Sequence, residues 1–251
     1  MIDTPAPGEA LADAFDRAAR HYDLLVALSP GYHAQLRGSA RRLVAALPPA
    51  RGDGTQGVGE VVLDLGCGTG ASTRAVVDAL ATARRLDIVV EGVDASAGMI
   101  AQAQEKSWPD SVSFTCSDAL ADLRGRETAS VSGVFAAYLI RNVPDRDALL
   151  AEVARVLCPG APLVIHEYSV AGSARARLVW ETVCRAVIIP TAFLTDRDVR
   201  LYHYLRQSVV DFDSIDTLRG RLGRAGFTDV HSSSFLGWQH GIVHTVDGIR
   251  T

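Results

Sequence analysis

A chain of 251 residues and 26.7 kDa, 48% hydrophobic and 22% charged, is long enough to bury a full core and has the composition of a folded globular protein rather than a disordered or collagen-like one. A net charge of −4 and an isoelectric point near 6.0 supply no global basic field, which argues against a nucleic-acid partner and favours a small ligand. Cys67, Cys116, Cys158 and Cys184 have neither C-x-x-C spacing nor a small secreted frame, so neither a metal site nor a disulfide framework is expected.

The first residues lack a basic start followed by a continuous apolar segment, and no apolar run of about 18 residues follows, which points to the cytoplasm. "ALADAFDRAARHYDLLVALS" spaces Leu11, Phe15, Ala18, Ala19, Tyr22 and Leu25 as a helix, ended by Ser29-Pro30-Gly31. A second helix is expected through "YHAQLRGSARRLVAAL", and "PPARGDGTQGVGE" reads as a linker. Residues 1–50 are thus expected as a helical cap on a core spanning 58–251.

From Glu60 the pattern alternates. Strand "EVVLDL" precedes a helix from Ala71; strand "LDIVVEGVD" precedes helix "SAGMIAQAQEK"; strands "VSFTCSD" and "VSGVFAAYL" follow directly; then come helix "DRDALLAEVARVL" and strand "APLVIHEYS". Short β-rich runs joined by helices imply parallel strands covered on both faces, a doubly wound α/β domain. The tail reads as helices and loops over 171–213, an insertion suited to cover a substrate, and then as a closing strand pair within "FTDVHSSSFLGWQHGIVHTV".

Gly66, Gly68 and Gly70 fall in the turn after the first strand, where ligands bind in open α/β sheets and where glycine lets the backbone bend tightly and approach a ligand. Three carboxylates qualify the ligand. Asp64 ends the first strand beneath this loop, placed to organise its amides or to accept from a ligand ammonium. Asp94 ends the second strand, where an acceptor-only carboxylate receives both hydroxyl hydrogens of a ribose. Asp118 ends the third, placed to accept from an adenine amino group while Ala119 offers a backbone amide. An amino acid, a ribose and an adenine with no phosphate between them describe S-adenosylmethionine. Two alternatives stay open at this point: the carboxylates only cap strand ends, or "GCGTGA" serves a dinucleotide such as NAD.

The stretches "LDLGCGTG", "GVD" and "SDA" resemble those of class I S-adenosylmethionine-dependent methyltransferases. "FDRAARHYDLLVALSPGYH", "LIRNVPDRDALLAEVARVLCPG", "HEYS", "YHYLRQSV" and "LGRAGFTDV" narrow the likeness to the UbiE-type quinone C-methyltransferases of menaquinone and ubiquinone biosynthesis, from about Phe15 to Gly248. The resemblance implies a Rossmann-like, mostly parallel seven-stranded sheet with a C-terminal antiparallel hairpin, N-terminal helices and a helical insertion before the hairpin. It implies cofactor contacts from Thr69, Asp94, Asp118 and Ala119, with Tyr22 closing over the methionyl end; Asp64, Gly66, Cys67, Gly68, Gly70, Ala95, Met99 and Ala137 complete the expected cofactor site. Arg141 matches the arginine that activates a phenolic acceptor, beside Asn142. Being always protonated, it acts by stabilising a phenolate or orienting a water. Ala137 stands where the family has a cofactor-touching serine, and Tyr138 is a candidate for a replacement hydroxyl contact.

The expected reaction is methyl transfer to a small aromatic or quinol-like acceptor, with C-methylation first. O- or N-methylation in secondary metabolism and a non-catalytic cofactor-binding regulator are the alternatives. Candidates for the base are His166, Glu167, Tyr204, His240 and His244, with Glu167 and Tyr204 preferred; a homodimer and transient membrane contact are compatible with this reading.

Overall fold

The computed structural model describes residues 11–13, 15–16, 31–49, 60–195 and 200–251. Most of the expected first helix, Tyr22 with it, and the linker lie outside the described residues. Tyr32–Ala46 forms α1, packing Tyr32, Leu36, Ala40 and Leu43 inward at helical spacing.

The core alternates β1 Val61–Leu65, α2 Ala71–Thr82, β2 Val89–Asp94, α3 Ala97–Gln104, β3 Val112–Cys116, α4 Ala119–Gly125, β4 Gly133–Ala137, α5 Arg146–Val156 and β5 Pro162–Tyr168. The strands lie in the order β3-β2-β1-β4-β5, all parallel. The sequence reading places no helix between β3 and β4, yet α4 is there. Its seven residues are too few to display an amphipathic period, and Asp118 Oδ1 caps it by accepting from Ala121 N at 3.0 Å.

The insertion comprises α6 Ala174–Val183, a π-helical turn Cys184–Ile188, α7 Ile189–Thr195 and α8 Arg200–Val210. It is followed by α9 Ile215–Arg224, capped by Ser214, and by β6 Phe227–Ser234 and β7 Val243–Arg250. β7 pairs antiparallel with both β5 and β6, completing a seven-stranded sheet.

Buried clusters cover both faces of the sheet. α1 and α2 press Leu36, Leu43, Val76 and Leu80 onto Val62, Val90, Phe135 and Val164. On the other face α4, α5 and α9 press Leu123, Leu149, Val153, Leu218 and Leu222 onto Leu63, Leu65, Val134 and Ile165. Central β1 and β4 are buried through both faces, apolar but for Asp64, because helices cover each side, as crossover connections require. The strand order reverses between β1 and β4, so their carboxyl ends open a crevice beside the glycine turn.

Candidate active site

That crevice is a cavity of about 530 Å³, walled by the Gly66–Thr69 backbone, Asp94, Ala95, Ser96, Met99, Asp118, Ala119, Ala137, Tyr138, Arg141 and Asn142, with Leu11, Phe15 and Tyr32 from the N-terminal segments. The volume suits one small organic ligand. The loop backbone is left-handed at Gly66 (φ 71°) and Gly70 (φ 88°). A Cβ on Gly66 would meet Leu139 at 3.0 Å, and one on Gly70 would meet the Trp108 ring at 2.7 Å, so both conformation and space demand glycine.

The three strand-end carboxylates have diverged in role. Asp94 is on the cavity wall, its Oδ2 accepting from Gly68 N and its Oδ1 from Ser96 N, both at 2.9 Å. Each oxygen retains lone-pair capacity for a ligand hydroxyl. Asp118 lines the cavity beside Ala119. Asp64 does not line it. It lies buried behind the loop, with Oδ2 accepting from the Ser72 and Thr73 hydroxyls at 2.7 and 2.6 Å and Oδ1 without a partner among the described residues. Burial pushes its carboxyl up to about 7 against the lowering effect of those hydroxyls. The loop amide of Gly68 is held by Asp94, whereas the sequence reading gave loop organisation to Asp64. Gly70 also lies off the cavity wall, against Trp108.

The second cluster stands at the end of β4. Tyr138 adopts a left-handed φ of 58°, with its N–H donating to the carbonyl of His166 at 2.7 Å. Its carbonyl accepts from Arg141 Nη1 at 2.9 Å and Asn142 Nδ2 at 3.1 Å. Arg141 Nη1 also donates to Glu167 Oε1 at 2.5 Å, a pair with both side chains buried, and Tyr204 Oη donates to Asn142 Oδ1 at 3.2 Å. Burial pushes the Glu167 carboxyl upward and the Arg141 charge opposes this. The four residues singled out as catalytic therefore meet in one network. Arg141 and Asn142 line the cavity, while Glu167 and Tyr204 support them from behind.

Other expectations are placed differently. The Tyr138 hydroxyl turns away from the cofactor loop to His166 Nε2 at 2.9 Å, so it does not replace the missing serine contact. His166 is wholly buried between Tyr138 and Ser39 Oγ, which in turn meets Thr245 Oγ1 at 2.7 Å. Burial pushes its imidazole down to about 3, so it is neutral and out of reach of the cavity. His244 lies in β7 opposite Glu167, and His240 lies in the turn before it; neither lines the cavity. Sequence reasoning missed Ser208, whose hydroxyl accepts from Arg141 Nε at 3.3 Å, and Lys106, which donates to the Thr69 carbonyl at 2.7 Å. Neither belongs to a local motif that marks it.

These residues decide between the two cofactors left open above. A pyrophosphate needs free loop amides and no nearby anion, but Gly68 N is engaged by Asp94 and the orphaned Asp64 oxygen lies behind the loop. The acidic lining, Asp94 and Asp118, suits a ribose and an adenine. A doubly wound sheet with this loop and these anchors defines a class I S-adenosylmethionine-dependent methyltransferase. The chain belongs to the ubiE/COQ5 methyltransferase family, whose profile matches residues 5–249. It is 29% identical to the ubiquinone/menaquinone biosynthesis C-methyltransferase UbiE of a Caulobacter species, over 94% of this chain and 91% of that protein. It is 32% identical to the demethylmenaquinone methyltransferase of Tropheryma whipplei, over 67% of this chain and 66% of that protein. Its fold is similar to that of phosphoethanolamine N-methyltransferase 2 of Haemonchus contortus in complex with S-adenosylhomocysteine, with a TM-score of 0.62 and 18% identity over 94% of this chain and 57% of that one.

Proposed function

We propose that this enzyme C-methylates a quinol-like phenolic acceptor, with Arg141 as the cation that favours its phenolate. The observation that carries this reading is the buried guanidinium on the cavity wall, fixed by Tyr138 O, Glu167 and Ser208 and facing the same cavity as Asp94 and Asp118.

When bound, the cofactor supplies an electrophilic methyl group on a sulfonium. Asp94 would accept from the ribose hydroxyls and Asp118 from the adenine amino group, in the same cavity that Arg141 and Asn142 line. A phenol against Arg141 loses its proton more readily, because the fixed charge stabilises the oxyanion without reorganising, and a phenolate raises the nucleophilicity of the adjacent ring carbon. Arg141 has no site to accept the phenol proton, which leaves to water. Asn142, clamped between Tyr138 O and Tyr204 Oη, orients the ring against the donor. The insertion over 171–213 reaches this wall through Tyr204, whose hydroxyl donates to Asn142, and none of its described residues lines the cavity itself.

The test uses a short-chain demethylated menaquinol and a panel of simple phenols, with products read by NMR. C-methylated quinol supports the proposal, and an O- or N-methyl product moves the chain to the alternative chemistry. Asn142→Ala is expected to lower kcat at least tenfold with cofactor affinity unchanged, whereas Asp94→Ala is expected to weaken cofactor binding in isothermal titration. Tight cofactor binding with no turnover on any acceptor leaves only a regulator.

A further inference from the structure

Arg141 and Asn142 sit on a single 3-10 turn, Ile140–Asn142, whose backbone closes through Asn142 N donating to Leu139 O at 2.8 Å and Val143 N donating to Ile140 O at 3.3 Å. So short a turn, with the poorer hydrogen-bond geometry of its kind, does not by itself hold two side chains in one orientation. It is gripped instead from the start of α5 and from the end of the insertion.

Arg146, the first residue of α5, reaches back over the turn. Its Nε donates to Ile140 O and its Nη2 to Arg141 O, both at 3.3 Å. Its Nη1 pairs with Asp213 Oδ2 at 3.4 Å, and its guanidinium lies 5.0 Å from the centre of the Phe212 ring. Asp213 is fixed in turn, with Oδ2 accepting from Arg221 Nε at 2.7 Å and its carbonyl accepting from Ser169 Oγ at 2.8 Å. A planar fork can span two carbonyls and a carboxylate at once, which the point charge of a lysine cannot. On α8, Tyr204 and Ser208 are four residues apart and so share a face. Tyr204 Oη donates to Asn142 Oδ1 at 3.2 Å, and Ser208 Oγ accepts from Arg141 Nε at 3.3 Å. Ser208 gives its single proton to Leu205 O at 2.9 Å, so its oxygen meets Arg141 as an acceptor.

We infer that Ser208 and Arg146 are positioning residues for methyl transfer, through which the end of the insertion, Tyr204 to Asp213, sets the orientation of the Arg141 guanidinium and the Asn142 amide. None of the described residues of the insertion lines the cavity, whereas Arg141 and Asn142 do, so the insertion acts on the acceptor through this turn. The inference rests on the proposal that Arg141 favours the phenolate of the acceptor. A fixed charge stabilises a developing oxyanion only when it is already aimed at it, so a loosened guanidinium leaves the phenol harder to ionise.

The test uses the full chain with S-adenosylhomocysteine bound, titrated with para-nitrophenol and followed by the absorbance of its ionised form. The parent is expected to lower the pKa of the bound phenol by about one unit or more, as a fixed opposite charge does. Ser208→Ala and Arg146→Met are expected to lose at least half of that shift without losing affinity for S-adenosylhomocysteine, and Ser208→Thr, which keeps the hydroxyl, to regain it. With a short-chain demethylated menaquinol, both defective variants are expected to lower kcat about threefold or more at neutral pH, and the deficit to shrink as pH rises and the phenol ionises unaided. Circular dichroism confirms folding, and Ser208→Ala carries the test if Arg146→Met does not fold. Four results overturn the inference: a parent that leaves the nitrophenol pKa at its solution value, variants that keep the parent shift, a kcat deficit equal at every pH, or cofactor affinity that falls in step with kcat. A shift present in the parent and lost in the variants, without a methylated product from any acceptor, defeats the proposed function and leaves the positioning role standing.

Discussion

Replacing Arg141 by methionine separates what this side chain does for the fold from what it does for the chemistry. In the parent, the Arg141 guanidinium and Glu167 carboxylate are both buried and paired at 2.5 Å, and Glu167 Oε1 also accepts from Tyr168 N at 2.9 Å. Removing one partner of such a pair costs about 3–5 kcal/mol, because the remaining charge is left without compensation in a low-dielectric surrounding. For a domain of this size that is a fall in Tm of about 6–20 °C. The pH dependence supplies an internal check. Without the Arg141 guanidinium, burial is opposed only by the backbone N–H groups of residues 141 and 168 and raises the folded pKa of Glu167 further above the ordinary 4.5. A raised folded pKa makes stability largest below the unfolded value and lost as pH rises, so a deficit of about 3 kcal/mol at pH 7 shrinks below about 1 kcal/mol at pH 5. Adding Glu167→Gln removes the charge while keeping an acceptor for Tyr168 N, and is expected to restore at least half of the lost stability. Methyl transfer stays abolished in both variants. Urea denaturation at pH 5 and pH 7 provides the measurement. A single variant as stable as the parent at pH 7, or a double variant no more stable than the single, refutes the argument that the pair is a mutually dependent buried unit.

Burial raises the Asp64 carboxyl from 3.8 to about 7, so its contribution is fully present below about pH 4 and is lost as pH rises toward 7, a change of about 4 kcal/mol. Asp64→Asn is expected to flatten the stability-against-pH curve in that window, and parallel curves would contradict the placement. Gly70→Ala forces a methyl group to within 2.7 Å of Trp108 at a φ of 88°, and a loss of about 1–3 kcal/mol is expected in chemical denaturation. Gly68→Ala, with nothing within 4 Å of its Cβ, should lose less, and equal losses would remove Trp108 from the explanation. Tyr138→Phe keeps the ring stacked between Tyr32 and Tyr168 but strips the partner from His166 Nε2, at a cost of about 1–3 kcal/mol in stability with cofactor affinity unchanged. A cofactor affinity that falls in step with stability would show that the hydroxyl reaches the loop after all.

By itself the sequence determined the strand-and-helix alternation, the glycine turn and the carboxylates at three strand ends. These signals are local: β-rich runs, residues that permit positive φ, and acids placed by a strand's last turn. The short α4 escaped because seven residues carry no readable period. The tertiary structure alone decided which carboxylate does what. Asp64 and Asp94 both end a parallel strand, yet one is sealed beneath α2 by Ser72 and Thr73 and the other opens on the cavity. It alone brought Arg141 to Glu167 and Ser208, 26 and 67 residues away in the chain, and turned the Tyr138 hydroxyl to His166. Such pairings depend on which strands become neighbours and which way each side chain leaves the sheet, and a linear pattern of polar and apolar residues encodes neither until the sheet has closed.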